Sequence, residues 1–255
     1  MTPTDSMRYE FFALTDVGRT RSNNEDALAF HENACLALLA DGMGGYNAGE
    51  VAAQMAVNLI GDELADWLCS EGQDASADTI ARALDASVEM ANRAITDAAH
   101  DNPAYAGMGT TLVAAVFRGP HLVLGHLGDS RCYRLRDGAL AQLTRDHSWL
   151  QEQISAGFID AVQAASAGLK GLLTRALGVD ETMSVEIQTY DTLPGDLFLL
   201  CSDGLTDMLD DGALAALLHP QHPLEALAHG LVAQANSLGG RDNISVLLTR
   251  CTGQA

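Results

Sequence analysis

Four apolar segments of the chain run up against an aspartate. Residues 34–40 lead into Asp41-Gly42, residues 122–127 into Gly128-Asp129-Ser130, and residues 197–201 into Ser202-Asp203-Gly204, while Asp242-Asn243 opens the apolar run 244–248. One aspartate at a strand end is usually a turn former or a helix cap. Four of them, on strands lying side by side, can converge at one sheet edge, where unpaired they would repel one another and resist desolvation. Divalent cations between them remove that conflict, and hard oxygen ligands select Mg²⁺, Mn²⁺ or Ca²⁺ over thiophilic metals. The glycine after Asp41 allows its backbone carbonyl to approach an ion closely. A polar loop, residues 15–26, adds Arg19 and Arg21 to Asp16, Glu25 and Asp26. Alone it reads as a salt-bridged surface loop. Beside metal ions an arginine completes the equipment for a phosphate ester: the ions activate water and neutralise charge, and the guanidinium grips phosphate oxygens as a fork.

The elements that must position these groups are short and apolar. Strands are expected at 9–15, 35–40, 111–117, 122–126, 132–135, 140–143, 185–190, 197–201 and 244–249, with Asp137-Gly138 as a hairpin turn. Three-four apolar stripes predict long helices between 49 and 68 and between 78 and 100, the second N-capped by Asp78. Shorter helices fit 149–156, 160–165, 212–218 and 223–237. Strands and helices do not alternate one for one, which disfavours a doubly wound parallel sheet. Antiparallel sheets with helices packed outside fit better, and a two-sheet sandwich so flanked would bury both faces of each sheet.

The chain has 255 residues, 47% of them apolar, which excludes an intrinsically disordered chain. Asp and Glu number 34 against 14 Lys and Arg, a formal net charge of −20. Nucleic acid and anionic membranes both call for a basic footprint, so neither is an expected partner. The five cysteines show no CxxC spacing, which points to a reducing compartment rather than to a zinc site or disulfides. The N-terminal residues do not form a signal peptide and no run approaches about 18 apolar residues, so a cytoplasmic protein is expected.

The ordered set Asp16-x-Gly18-x-x-Arg21-x-x-Asn24-Glu25-Asp26, Asp41-Gly42-Met43-Gly44-Gly45, Gly109-Thr110-Thr111, Gly128-Asp129-Ser130-Arg131, Ser202-Asp203-Gly204 and Asp242-Asn243 resembles the metal-dependent serine/threonine protein phosphatases of type 2C (the PPM family). The resemblance covers nearly the whole chain, and Met43 after the Asp-Gly pair is similar to the bacterial branch. It implies an α+β fold, a four-layer α-β-β-α sandwich of two mainly antiparallel sheets flanked by helices. It also implies a single catalytic domain over 1–255 with a flap at about 150–170. In that family's pattern Asp41 is the bridging metal ligand and Asp203 and Asp242 complete the first site. The Gly42 carbonyl and Glu25, the latter through water, serve the second. Asp129 with Asp203 matches a third, weaker site. Arg21 is the phosphate-gripping, catalytic arginine, and Asp26 supports the ligands. The implied reaction is hydrolysis of phosphoserine and phosphothreonine in proteins by a metal-activated water at a dinuclear Mn²⁺ or Mg²⁺ centre. A third ion is an option. The protein would act as a monomer and reverse the work of a cognate bacterial Ser/Thr kinase.

Two departures bear on the leaving group. Met43 stands where many eukaryotic relatives have a histidine proposed as acid, and Tyr46 where many bacterial relatives have a histidine. Protonation is then left to metal-bound water or another group, with His147 and His126 as candidates. Cys201, two residues before Asp203, reads as core. The acidic body leads to an expected preference for basic or arginine-flanked phosphosites. Three rival functions remain at this stage. A two-metal nuclease or nucleotide hydrolase would want a basic, aromatic track or a phosphate-binding glycine loop of the GxxxxGK[ST] type. A pseudophosphatase would want lost ligands, and a structural Ca²⁺ site would melt with its metal but turn nothing over.

Overall fold

The computed structural model describes residues 7–44, 48–160, 171–180 and 182–253. Its strands are β1 (Arg8–Asp16), β2 (Asp26–His31), β3 (Leu36–Met43), β4 (Gly109–Thr110), β5 (Leu112–Arg118), β6 (His121–Leu127), β7 (Arg131–Arg136), β8 (Ala139–Gln142), β9 (Glu186–Asp191), β10 (Leu197–Cys201) and β11 (Ile244–Thr252). Its helices are α1 (Ala48–Cys69), α2 (Ala77–Asp101), α3 (Trp149–Ser155), α4 (Asp203–Thr206), α5 (Asp211–Leu217) and α6 (Leu224–Ser237). One sheet has the order β1-β11-β10-β7-β8. The other has the order β2-β3-β5-β6-β9, with β4 paired to the end of β3. The pairings within both sheets are antiparallel.

Both faces of each sheet are covered, which is why the strands read as unbroken apolar runs. On β3, Leu36, Leu38 and Ala40 pack with Ile60, Leu64, Leu84 and Val88 of α1 and α2. The alternate residues Ala37 and Leu39 meet Phe198, Leu200 and Leu247 of the other sheet. The outer face of that second layer, including Leu197, Leu199 and Val246, is covered by Leu205, Leu214, Leu227 and Leu231 of α4, α5 and α6. The result is the expected α-β-β-α sandwich. Between the sheets Phe117 and Phe198 meet edge to face with centroids 5.3 Å apart.

Local expectations held where the chemistry is local. Asp137 (φ 50°) and Gly138 (φ 78°) make the tight turn that pairs Arg136 with Ala139. Two local differences stand out, at the end of β3 and at the cap of α2. The apolar run ends at Ala40, but β3 continues through Asp41 to Met43, so Asp41 lies within a strand, opposite Asp26. That pairing uses β2, an edge strand whose mixed burial and many alanines carry little β signal. Helix α2 is capped by Ser76, whose Oγ accepts from the Thr79 N–H at 3.3 Å, and Asp78 instead sits in the first turn. Of the helix expected at 160–165, Asp160 is not helical and residues 161–165 lie outside the described residues. No helix among the described residues is long and apolar enough to cross a membrane.

Phe198 is fully buried between the sheets. Phe198→Ala should therefore lower the free energy of unfolding by about 3–5 kcal/mol, measured by urea denaturation. A loss below about 1 kcal/mol would mean that the two sheets do not share this core.

Candidate metal centre

Arg21, Glu25, Asp41, Gly42, Asp129, Asp203 and Asp242, residues far apart in sequence, line one cleft of about 250 Å³ at an end of the sandwich. Backbone chemistry holds each in place. The Asp41 N–H donates to Thr111 Oγ1 (3.0 Å), and the Asp41 carbonyl accepts from the Thr111 N–H (2.9 Å) and from Thr110 Oγ1 (2.9 Å). Thr111 Oγ1 also shares a hydrogen bond with Ser130 Oγ (2.8 Å), which ties β3 to the turn carrying Asp129. Asp203 and Asp242 come together because the Ser202 N–H donates to the Ser245 carbonyl (3.1 Å) and the Ser245 N–H to Ser202 Oγ (3.0 Å). Gly204 lies so close to the Asn243 carbonyl that a Cβ would sit 2.0 Å from its oxygen. Asn243 is the pin of the arginine loop: its Oδ1 accepts from the Glu25 N–H (2.9 Å), and its Nδ2 donates to the carbonyls of Val17 (3.1 Å) and Asn23 (2.8 Å). At Gly42 a Cβ would fall 2.1 Å from the Gly49 carbonyl oxygen, so only glycine lets the start of α1 reach the Glu25 loop.

The cleft is short of positive charge. Burial, reinforced by Asp26, Asp203, Asp129 and Asp242, holds the Asp41 carboxyl well above the ordinary carboxylate range. Burial, then Asp129 and Asp242, pushes Asp203 up to about 8. Burial, then Asp146, pushes Asp129 up to about 6. Burial also raises Asp26 to about 6. The hydroxyls of Ser245 and Ser202 favour its charged form, yet neither Asp26 oxygen, both buried, completes a hydrogen bond. Crowded carboxylates, with the orphaned oxygens of Asp26 opposite Asp41 and no imidazole or thiolate among the described residues lining the cleft, fit hard divalent cations. Among the described residues, no three His, Cys, Asp or Glu side chains are grouped to hold an ion as they stand. Asp242 is engaged elsewhere, with its Oδ2 2.7 Å from Arg21 Nη2. The two side chains are 51% and 36% exposed, so the pair contributes little, about 0–1 kcal/mol, and is readily exchanged.

The two histidine candidates are corrected, and the reading of Cys201 as core holds. His126 is buried and held neutral, its pKa lowered to about 4 by burial and by His147, and its Nε2 donates to the Ser130 carbonyl (2.9 Å). His147 uses both ring nitrogens, on Gly128 and Glu186. Neither lines the cleft, so neither is placed to protonate a leaving group. Met43 does line it, and Tyr46 lies outside the described residues. Cys201 is fully buried and its thiol is pushed up to about 12 by burial, which leaves it inert core. Sequence reasoning gave no role to Thr111, Ser130 or Asn243. Their hydrogen bonds span 70, 19 and 218 positions, and although all three belong to the motif set, only their residue types, good at bonding backbone, hinted at what they hold.

Carboxyls whose folded pKa stands above the unfolded value near 4 keep protons that the unfolded chain has released, so rising pH works against folding. Through Asp26, Asp129 and Asp203 the window runs from about 4 to about 8. Thermal melts in chelator should show Tm falling between about pH 5.5 and pH 8, and added Mn²⁺ should raise Tm more at the higher pH. A chelated Tm that rises across that interval contradicts the charge balance described.

A family model described as Protein phosphatase 2C matches residues 18–234. The serine/threonine phosphatase stp of Listeria innocua is 39% identical over 242 residues, covering 92% of either chain. A crystal structure of the Mycobacterium tuberculosis serine/threonine phosphatase PstP/Ppp matches with a TM-score of 0.86 at 37% identity, over 95% of this chain and 98% of that one. A structure of the PstP catalytic domain in complex with two manganese ions matches with a TM-score of 0.85 at 36% identity, over 97% of this chain and 100% of that one. With sequence, fold and the converging aspartates in agreement, the chain belongs to the protein phosphatase 2C (PPM) family, among relatives that are bacterial serine/threonine phosphatases.

Proposed function

We propose that the chain is a single catalytic domain that hydrolyses phosphoserine and phosphothreonine in proteins, opposing a Ser/Thr kinase. Two divalent ions, Mn²⁺ or Mg²⁺, would be held by its cleft. What carries this function is the meeting of Asp41, Asp203, Asp242 and Arg21 in one cleft where the buried carboxylates outweigh the positive charge. The relative crystallised with two manganese ions supports the same stoichiometry.

Asp41, Asp203 and Asp242 would hold one ion. Asp41, the Gly42 carbonyl and, through water, Glu25 would hold the second, while Asp129 with Asp203 offers a third, weaker place. When bound, such ions supply the charge that makes water nucleophilic at neutral pH and neutralises phosphoryl oxygens. The chain's own part is placement. Arg21, free to leave its exposed pair with Asp242, presents a planar fork to two phosphoryl oxygens and holds the phosphorus in line for attack. Charge then developing on those oxygens is met by a guanidinium already in place. Met43 has no proton to give, and the described histidines stay out of the cleft.

Turnover of p-nitrophenyl phosphate and of a phosphothreonine peptide should require Mn²⁺ or Mg²⁺ and stop in chelator. Arg21→Ala should lower kcat/KM by about 10²-fold. Asp203→Asn should abolish turnover at limiting Mn²⁺. Chelator-resistant activity, or an Asp203→Asn enzyme as active as the parent at limiting Mn²⁺, would sink the assignment. Faster hydrolysis of a nucleotide than of the phosphopeptide would move the chain to a different substrate class.

A further inference from the structure

We infer that His147 is a positioning residue for Asp129: its imidazole fixes the Gly128–Ser130 turn against the wall of the cleft and so sets the affinity of the ion site that Asp129 serves. This rests on the proposal that Asp129 helps to hold a divalent ion. The turn joins β6 of one sheet to β7 of the other, and its backbone is set by Gly128, with φ of 96° and room for no Cβ beside Thr111.

Each end of that turn is held by an imidazole. The Gly128 N–H donates to His147 Nδ1 (3.2 Å), and the His147 N–H donates back to the Gly128 carbonyl (2.8 Å). The Ser130 carbonyl accepts from His126 Nε2 (2.9 Å), and the two rings pack 4.7 Å apart. With Nδ1 accepting, the His147 proton sits on Nε2 and is donated to Glu186 Oε2 of β9 (3.0 Å). The His147 carbonyl accepts from the Thr174 N–H (2.9 Å), next to Leu173 of the cleft wall. The flanking residues repeat the link, since Arg131 Nε donates to Asp146 Oδ1 at 2.9 Å. Residues 128–131 are therefore fastened to 146–147, with Asp129 inside the fastened stretch. The backbone pair between His147 and Gly128 would form with any side chain. What the imidazole adds is an acceptor for a buried N–H and an anchor on β9, and without the acceptor that N–H is left unpaired.

Two amides separate these functions. His147→Gln can still reach Glu186 but offers nothing at the Nδ1 position, whereas His147→Asn keeps an oxygen near that position and gives up Glu186. Mn²⁺ binding to the purified protein, followed by calorimetry and by the electron paramagnetic resonance of free Mn²⁺, should show the weakest site lowered about tenfold or more in His147→Gln, with the tighter sites unchanged. His147→Asn should stay within about twofold of the parent. If the Gln variant does not fold, His147→Leu, which likewise offers no acceptor to the Gly128 N–H, should weaken the same site. Equal Mn²⁺ affinity in the parent and in the Gln or Leu variant would overturn the inference, as would a fall in Tm without a change in binding. A parent protein that binds no Mn²⁺ would instead remove the ion centre itself, and this inference with it.

Discussion

The governing constraint is like charge held at close quarters. Burial first, and then neighbouring carboxylates including Asp242, push Asp26, Asp41, Asp129 and Asp203 above the ordinary carboxylate range at one end of an otherwise apolar sandwich. Such a group disperses unless its backbone is fixed by something stronger than the repulsion. Here the fixing is steric and hydrogen-bonded. Gly42 and Gly204 bring main chains within distances that a Cβ would forbid. Thr111, Ser130 and Asn243 spend their side chains on the loops that carry the carboxylates. Burial of both sheet faces makes the frame stiff, and the aspartates inherit that stiffness.

Antiparallel order explains why the five meet at the same end. The end of β3 lies beside the start of β2, so Asp41 faces Asp26. β10 ends where β11 begins, which sets Asp203 near Asp242, and β6 ends where the turn to β7 carries Asp129 across to the other sheet. β1 ends opposite the start of β11, with Asp16 paired to Ile244, and so delivers the loop with Arg21 and Glu25 to the same place. No single contact creates the cleft. It follows from where successive strands turn.

The layers were legible because covering a sheet on both faces leaves a plain signature, a short apolar run ending in Asp or Gly. The aspartates were legible for the same reason, although at Asp41 the signature misled. The run stops where the strand enters the cleft, not where the strand stops, because β2 and β4 go on pairing with it. β2 itself was hidden: its six residues, Asp26 to His31, include Leu28 and Phe30 but none of the β-branched residues that mark a strand. The histidines near the motifs suggested acid chemistry, and the structure gives them a clamping role, with the partners of His147 19 and 39 positions away. A local pattern contains no information on contacts of that kind.

Arg21 and Asp242 show how the cleft can serve both ligands it is proposed to take. Paired, each satisfies the other, and because both are exposed the bond is cheap to break. A cation taken up by Asp242 removes the reason for Arg21 to stay, and a phosphoryl group offers the guanidinium a bidentate partner with more negative charge in place of the single Nη2–Oδ2 contact. Phosphate bound by Arg21 in turn frees Asp242 for a cation. Each event thus lowers the cost of the other, and linkage makes that benefit equal in both directions. On a body of charge −20 this has a further consequence, because distant carboxylates are screened over about 8–10 Å. What an approaching phosphate meets is set by this released guanidinium and its neighbours rather than by the net charge.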